Sequence, residues 1–295
     1  MTKFHKVLLA GLGLGMAFSS FAVPKATINS ALEPSSDGTE YFVLSSGSSA
    51  AIEHPSCKAK SAVLLIHGWV GKKDELGNLY KDLSEQLKGN CIASLRFDVQ
   101  GEAERVKSNF RLTSTFKSRM EDTESALEYL KEQYPEQPLV VVGFSLGGAT
   151  AMELVSRHPN TFEGIVLWST ALNPNEIVTL PNYYAAVREA IDEGESVLNE
   201  TWADLTLTRQ HVIGMLGYNP IRNLNQFKGH LLAIRGTEDY LPRHENEILR
   251  ASMAVTEDVY YLDGADHIFH VLNPKKSQKA EVLNLTTDWI VGLSK

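Results

Sequence analysis

"VVVGFSLGGA", residues 140–149, decides how the rest of the chain is read. Three consecutive valines suit a strand buried on both faces, because β-branched side chains pack well on a pleated surface. The run ends in Gly143-x-Ser145-x-Gly147, and the residues after it continue in helical spacing. A serine between strand and helix, fenced by glycines, sits on a tight turn that lifts its side chain above the sheet. The glycines are required because a side chain there would collide with the neighbouring strand or helix. The start of the helix also aims free N–H groups at the place where negative charge would develop. Ser145 is therefore expected to be a nucleophile.

Outward from this point, strands and helices alternate. "AVLLIHG" (62–68), "CIASLRFD" (91–98), "PLVVVGF" (138–144), "GIVLWS" (164–169), "HLLAIRG" (230–236) and "DVYYLDG" (258–264) are apolar runs of strand length. Between them, Leu76, Leu79, Leu83 and Leu87 mark one helical face, and Met120, Thr123, Ala126, Leu127 and Leu130 mark another. A final helix near 277–293 carries Val282, Leu285, Trp289 and Leu293. "EYFVLSS" and "SAAIEH", separated by Gly47-Ser48, read as a hairpin. The alternation predicts an α/β fold, a mainly parallel sheet with helices on both faces. Residues 171–229 interrupt it with helix-like segments and no clear strand. So long an insertion at a sheet edge reads as a helical cap. Tyr183, Tyr184, Trp202 and Tyr218 are its candidates for a substrate pocket, against the plainer role of cap core.

The chain has 295 residues, 43% of them hydrophobic and 22% charged, an ordinary globular composition. Lys3 and Lys6 precede an apolar run at 7–18, then Ser20-x-Ala22, which predicts a signal peptide over 1–22 and an exported chain. Its removal takes two lysines and no acid, moving a net charge of −8 to −10. Without basic clusters, such a chain is expected to bind neither nucleic acid nor an anionic membrane. The run is short for a bilayer span, so no stable membrane insertion is expected after cleavage. Cys57 and Cys91 are the two cysteines. Export permits a disulfide, and both sulfurs fall at one sheet edge if the strands at 62–66 and 91–95 are parallel neighbours; two buried free thiols are the alternative.

A serine needs a base, and the base an orienting acid. His267 lies in "LDGADHIF" after the last strand, and Asp239 in "RGTEDYLP" after the strand before it. Loops at the carboxyl ends of parallel strands are where such sites gather. Asp263 and Asp266 are too close to His267 in sequence to reach its far nitrogen comfortably, and Glu238 would point opposite to Asp239. His270 competes as base, while His67 is expected to hold its loop. The oxyanion donors are expected to be the backbone amides of Leu146 and Trp69. No metal-ligand spacing appears, and acyl transfer through serine needs no cofactor.

With these residues in place, the chain from about 39 to 295 resembles the α/β-hydrolase superfamily. "LLIHGW", "SLRFDVQGEAE", "GFSLGG", "NPIRNLNQFKGHLLAIRGTEDYLP" and "GADHIF" look like its serine-aminopeptidase-like and cinnamoyl-esterase-like branch. The resemblance implies an eight-stranded sheet and a cap before the acid-bearing loop. It also implies adjacent "HG" and "RFD" strands, which favours the disulfide. Relatives carry Gly-His-Gly-x-Ser after the Asp of "RFD", where this chain reads "DVQGEAERV". The loop there must differ. The function expected is hydrolysis of a small-molecule carboxylic ester. A serine aminopeptidase, thioesterase or lipase is the alternative; a peptidase could bind a free α-amine through Glu189, Asp192, Glu193 and Glu195. A non-catalytic binding protein would show a damaged triad, and no damage is visible.

Overall fold

A computed structural model describes residues 38–103, 110–200 and 203–294. The expected leader at 1–22 lies outside the described residues. The chain opens with a hairpin, β1 (Thr39–Val43) and β2 (Ser49–Glu53), followed by β3 (Ser61–Ile66), α1 (Leu79–Gly89) and β4 (Ile92–Phe97). Then come β5 (Arg111–Leu112), α2 (Phe116–Gln133), β6 (Leu139–Phe144), α3 (Leu146–Arg157) and β7 (Phe162–Trp168). The cap follows, with α4 (Asn175–Val178), α5 (Tyr184–Glu193), β8 (Glu195–Glu200), β9 (Ala203–Thr208) and α6 (Arg209–Gly214). The chain ends with β10 (His230–Gly236), α7 (Glu245–Ala251), β11 (Thr256–Leu262) and α8 (Lys279–Leu293).

Eight strands form one sheet in the order β1-β2-β4-β3-β6-β7-β10-β11. β1, β2 and β4 pair antiparallel, and every pairing from β4 to β11 is parallel. Parallel strands need both faces covered, and their side chains alternate between two cores. Ala62, Leu64, Ile66 and Val141 face α2, α3 and α7, whereas Val63, Leu65, Val140 and Val142 face α1 and α8. Each fully buried aliphatic side chain contributes about 1.5–3 kcal/mol to this packing. Helix α2 starts at a capping box in which Thr115 accepts from the Ser118 N–H and Ser118 accepts from the Thr115 N–H.

Strands β3 and β4 are adjacent, and Cys57 and Cys91, just before them, are joined in a disulfide with Cα atoms 5.6 Å apart. The free-thiol alternative is thereby excluded.

The cap differs from an all-helical insertion. Its helices are accompanied by a hairpin of β8 and β9, and β5 joins β9 in parallel to make a separate three-stranded sheet. Leu198, Leu205 and Leu207 pack with Tyr183, Ala190 and Val212 in a small core of their own. "DLTLT" does alternate with period two, but its amphipathic faces match a strand only once a partner strand is present.

Candidate active site

β6 runs straight into α3, and Ser145 is the only residue between them. Its φ of 55° and ψ of −118° lie in a region that L-residues rarely adopt, so the turn is strained. The surroundings hold it. The Ser145 N–H donates to Trp168 O at 2.8 Å, and its carbonyl accepts from Gly148 N at 2.9 Å and Ala171 N at 3.1 Å. A Cβ on Gly143 would sit 2.3 Å from Gly147 O, and one on Gly147 would sit 2.0 Å from Ile66 O. No side chain fits either position.

β10 and β11 are parallel neighbours, so the loops after them leave the same end of the sheet. They are tied together by Thr237 N–H to Leu262 O and Glu238 N–H to Ala265 O, both 2.9 Å. Between them, His267 Nδ1 donates to Asp239 Oδ1 at 2.8 Å, and His267 Nε2 lies 3.0 Å from Ser145 Oγ. With Nδ1–H given to the carboxylate, Nε2 is the acceptor for the serine hydroxyl. The imidazole lies between the rings of Phe144 and Tyr240, with centroids at 5.2 and 4.6 Å. Burial acts to raise the Asp239 carboxyl, but its hydrogen bond and charge interaction with His267, then Arg235, hold it below its ordinary value.

The rival groups are occupied elsewhere. Asp266 Oδ1 accepts from the N–H groups of Ile268 and His270, at 3.1 and 2.7 Å, and its Oδ2 is 3.0 Å from His270 Nδ1. His270 Nε2 bonds Gly264 O at 2.8 Å. Asp263 and Glu238 are exposed. His67 donates from Nδ1 to Gly68 O at 2.6 Å and accepts the Val99 N–H at Nε2, 2.9 Å away. Burial, then the Arg119 charge, pushes it down to about 4, so it is neutral at pH 7.

The loop after β3 passes beside the serine: a Cβ on Gly68 would lie 3.4 Å from Ser145 Cβ. The Gly68 N–H donates to Glu75 Oε2 at 2.7 Å and the Val70 N–H to Glu102 Oε2 at 2.9 Å. Among the described residues no acceptor bonds the Trp69 N–H between them. Leu146 holds the first position of α3, where a backbone N–H has no helical partner. The Trp69 indole N–H reaches into the cap, donating to His211 Nε2 at 3.0 Å.

A cavity of about 900 Å³ opens over these groups, lined by Ser145, His267, Trp69 and Tyr240 from the body and by Ile177, Leu180, Tyr183 and Glu200 from the cap. Its volume suits a drug-sized ligand. Of the four aromatic residues expected to line it, Tyr183 does. Tyr184 does not: it is 66% exposed at the start of α5. Tyr218 does not either, packing on Phe116 with ring centroids 4.7 Å apart. Trp202 lies outside the described residues. The cap acids Glu189, Asp192, Glu193 and Glu195 are exposed and stay outside the cavity.

Sequence reasoning missed Glu102, Arg119, His211, Glu200 and Tyr240. Only Glu102 carried a signal, standing where the chain departs from the pattern of its relatives. Among the described residues no group of three or more His, Cys, Asp or Glu is disposed to hold a metal ion, and no helix is long and apolar enough to cross a membrane.

The profile of a family described as "Serine aminopeptidase, S33" matches residues 57–241, more than half of the chain. Mouse monoglyceride lipase is 28% identical over 132 residues, which cover 43% of this chain and 41% of that one. The chain thus spans about two fifths of that relative's length. Human monoglyceride lipase is 23% identical over 245 residues, covering 73% of this chain and 78% of that one. A thermostable carboxyl esterase from Bacillus coagulans, solved with glycerol, superimposes with a TM-score of 0.64 at 15% identity, covering 87% of this chain and 98% of that chain. That last likeness is one of fold.

Proposed function

Since the chain belongs to the serine aminopeptidase S33 family of α/β-hydrolases, we propose that it hydrolyses carboxylic esters through a Ser145–His267–Asp239 acyl-enzyme mechanism. The observation that carries this reading is the unbroken line of hydrogen bonds, 3.0 and 2.8 Å, from Ser145 Oγ through His267 to Asp239. His267 takes the hydroxyl proton as Ser145 attacks the ester carbonyl, and Asp239 stabilises the imidazolium. The tetrahedral oxyanion is held by the N–H groups of Leu146 and Trp69, each contributing roughly 3–4 kcal/mol. The intermediate collapses, His267 protonates the leaving alcohol, and water repeats the sequence on the acyl-enzyme.

The cavity favours an ester with an apolar acyl group, given Ile177, Leu180 and Phe144 in its wall. Kinship with monoglyceride lipases makes monoacylglycerols worth including among the esters tested. An aminopeptidase reading has one specific support, the Glu200 carboxylate inside the cavity, which would suit an α-ammonium group. Export is supported by the leader pattern at 1–22 and by the disulfide, which persists in oxidising compartments.

The test is a panel of p-nitrophenyl acyl esters, a monoacylglycerol and aminoacyl p-nitroanilides, run on the mature protein and on Ser145→Ala. Ester turnover lost in the variant supports the reading. Turnover of anilides alone would replace it with the peptidase, and no turnover of any substrate would leave a binding protein.

A further inference from the structure

Resting on the reading of Ser145 as nucleophile, we propose that Glu102, clamped by Arg119, is a positioning residue that holds both oxyanion donors in place. The loop after β3 carries an unusual strain: Val70, a β-branched residue, has φ of 54°. Such a conformation is costly for a branched side chain and persists only where the surroundings over-determine it. One restraint on it is the Glu102 carboxylate, fully buried, which accepts the Val70 N–H at 2.9 Å. With the Gly68 N–H fixed on Glu75, the two peptides that flank the one carrying the Trp69 N–H are anchored.

The same carboxylate is tied to the second donor. Arg119 Nη1 donates to Glu102 Oε1 and Oε2 at 3.0 and 2.9 Å, and its Nη2 donates to His67 O. Arg119 Nε donates to Thr150 Oγ1 at 2.8 Å, and the Thr150 hydroxyl donates to Leu146 O at 2.8 Å. One buried pair therefore joins the Trp69 loop to the first turn of α3. Ser114 closes the group, donating to Glu102 Oε1 at 3.0 Å, while His211, which receives the Trp69 indole, donates to Ser114 O at 2.7 Å. Burial would raise the Glu102 carboxyl, but the Arg119 charge, then His67 and His211, bring it below its ordinary value, so it stays an acceptor. Arg119 also neutralises it, which spares a developing oxyanion the repulsion of a nearby carboxylate.

In Glu102→Gln, Arg119 claims the single carbonyl oxygen and turns the amide NH₂ against the Val70 N–H. Removing one oxyanion donor lowers kcat by about 10²–10³. For this variant kcat on p-nitrophenyl butyrate is expected to fall about 10²-fold with KM within about twofold, the pattern of an interaction made only in the transition state. A trifluoromethyl ketone, which adds Ser145 to form a hemiketal oxyanion, should lose affinity by the same factor. Because Glu102→Gln leaves Arg119 buried without its partner, Glu102→Leu/Arg119→Met is the second variant, apolar and free of unpaired charge. Thermal unfolding checks that each is folded. A folded variant of either kind with kcat and ketone affinity within about threefold of the parent overturns the proposal. A parent that the ketone fails to inhibit would sink the acyl-transfer reading instead, a distinct outcome.

Discussion

Arg235 and Asp239 form a buried ion pair at the carboxyl end of β10, with Nη1 2.6 Å from Oδ2. The arginine is also bonded to Glu245 and to Thr170 O, so the carboxylate docks on a fixed partner. This leaves Oδ1 to face His267, steadied by the Leu241 N–H at 2.9 Å. Asp239→Asn is expected to lower kcat by up to about 10⁴, because an amide presents the wrong group to Nδ1 and the imidazole loses its tautomer. Asp266→Asn, which loosens only a turn, should cost far less. Steady-state kinetics on both variants decide the matter, and a larger loss at Asp266 would reassign the acid.

Ser145→Ala should remove both ester turnover and fluorophosphonate labelling while the thermal transition stays near that of the parent. Labelling that survives in the variant would point to another nucleophile.

His67 makes stability depend on pH. Its folded value of about 4 lies below the unfolded 6.5. Between these the unfolded chain binds the extra proton, so the contribution is complete above pH 6.5 and is lost as pH falls towards 4. The full loss is roughly 3 kcal/mol. Urea unfolding at a series of pH values should show this decline, and His67→Gln should flatten it. An equally steep decline in the variant would assign it to other groups.

The disulfide closes a loop between residues 34 apart in sequence. Cys57→Ser/Cys91→Ser should lower unfolding stability by about 3–4 kcal/mol in the chain-entropy model. Activity at low temperature should survive, since the bond lies before the strands, at the end of the sheet opposite Ser145 and His267. An unchanged urea midpoint would count against a stabilising role.

Tyr183→Ala should shift the ratio of kcat/KM for butyrate over acetate, because one methylene in an apolar pocket changes discrimination by ~1–3 kcal/mol. Tyr184→Ala should leave that ratio alone. Tyr218→Ala should act on stability, by about 1–3 kcal/mol, through its packing on Phe116. Should Tyr184 and Tyr183 prove interchangeable in their effect, the cavity wall has been drawn wrongly.

The strand–helix alternation and the turn at Ser145 were legible in the chain, because each rests on spacing within a few residues; Asp239 and His267 stood out only as polar residues in loops after strands, 28 and 122 positions from the groups they meet. A valine run reads as a buried strand, two glycines flank a turn that admits no side chain, and loops after parallel strands open at one end of a sheet. The rest depended on residues distant in sequence. Val70 is held in its strained conformation by a carboxylate 32 positions away, and the Trp69 indole meets its acceptor 142 positions on. Adjacent tyrosines part company at a helical turn, one into the cavity and one into solvent. The cap hairpin needed its partner strand before its alternation meant anything. Local spacing sets backbone conformation and the face on which a side chain lies, but only the packed chain decides what that face meets.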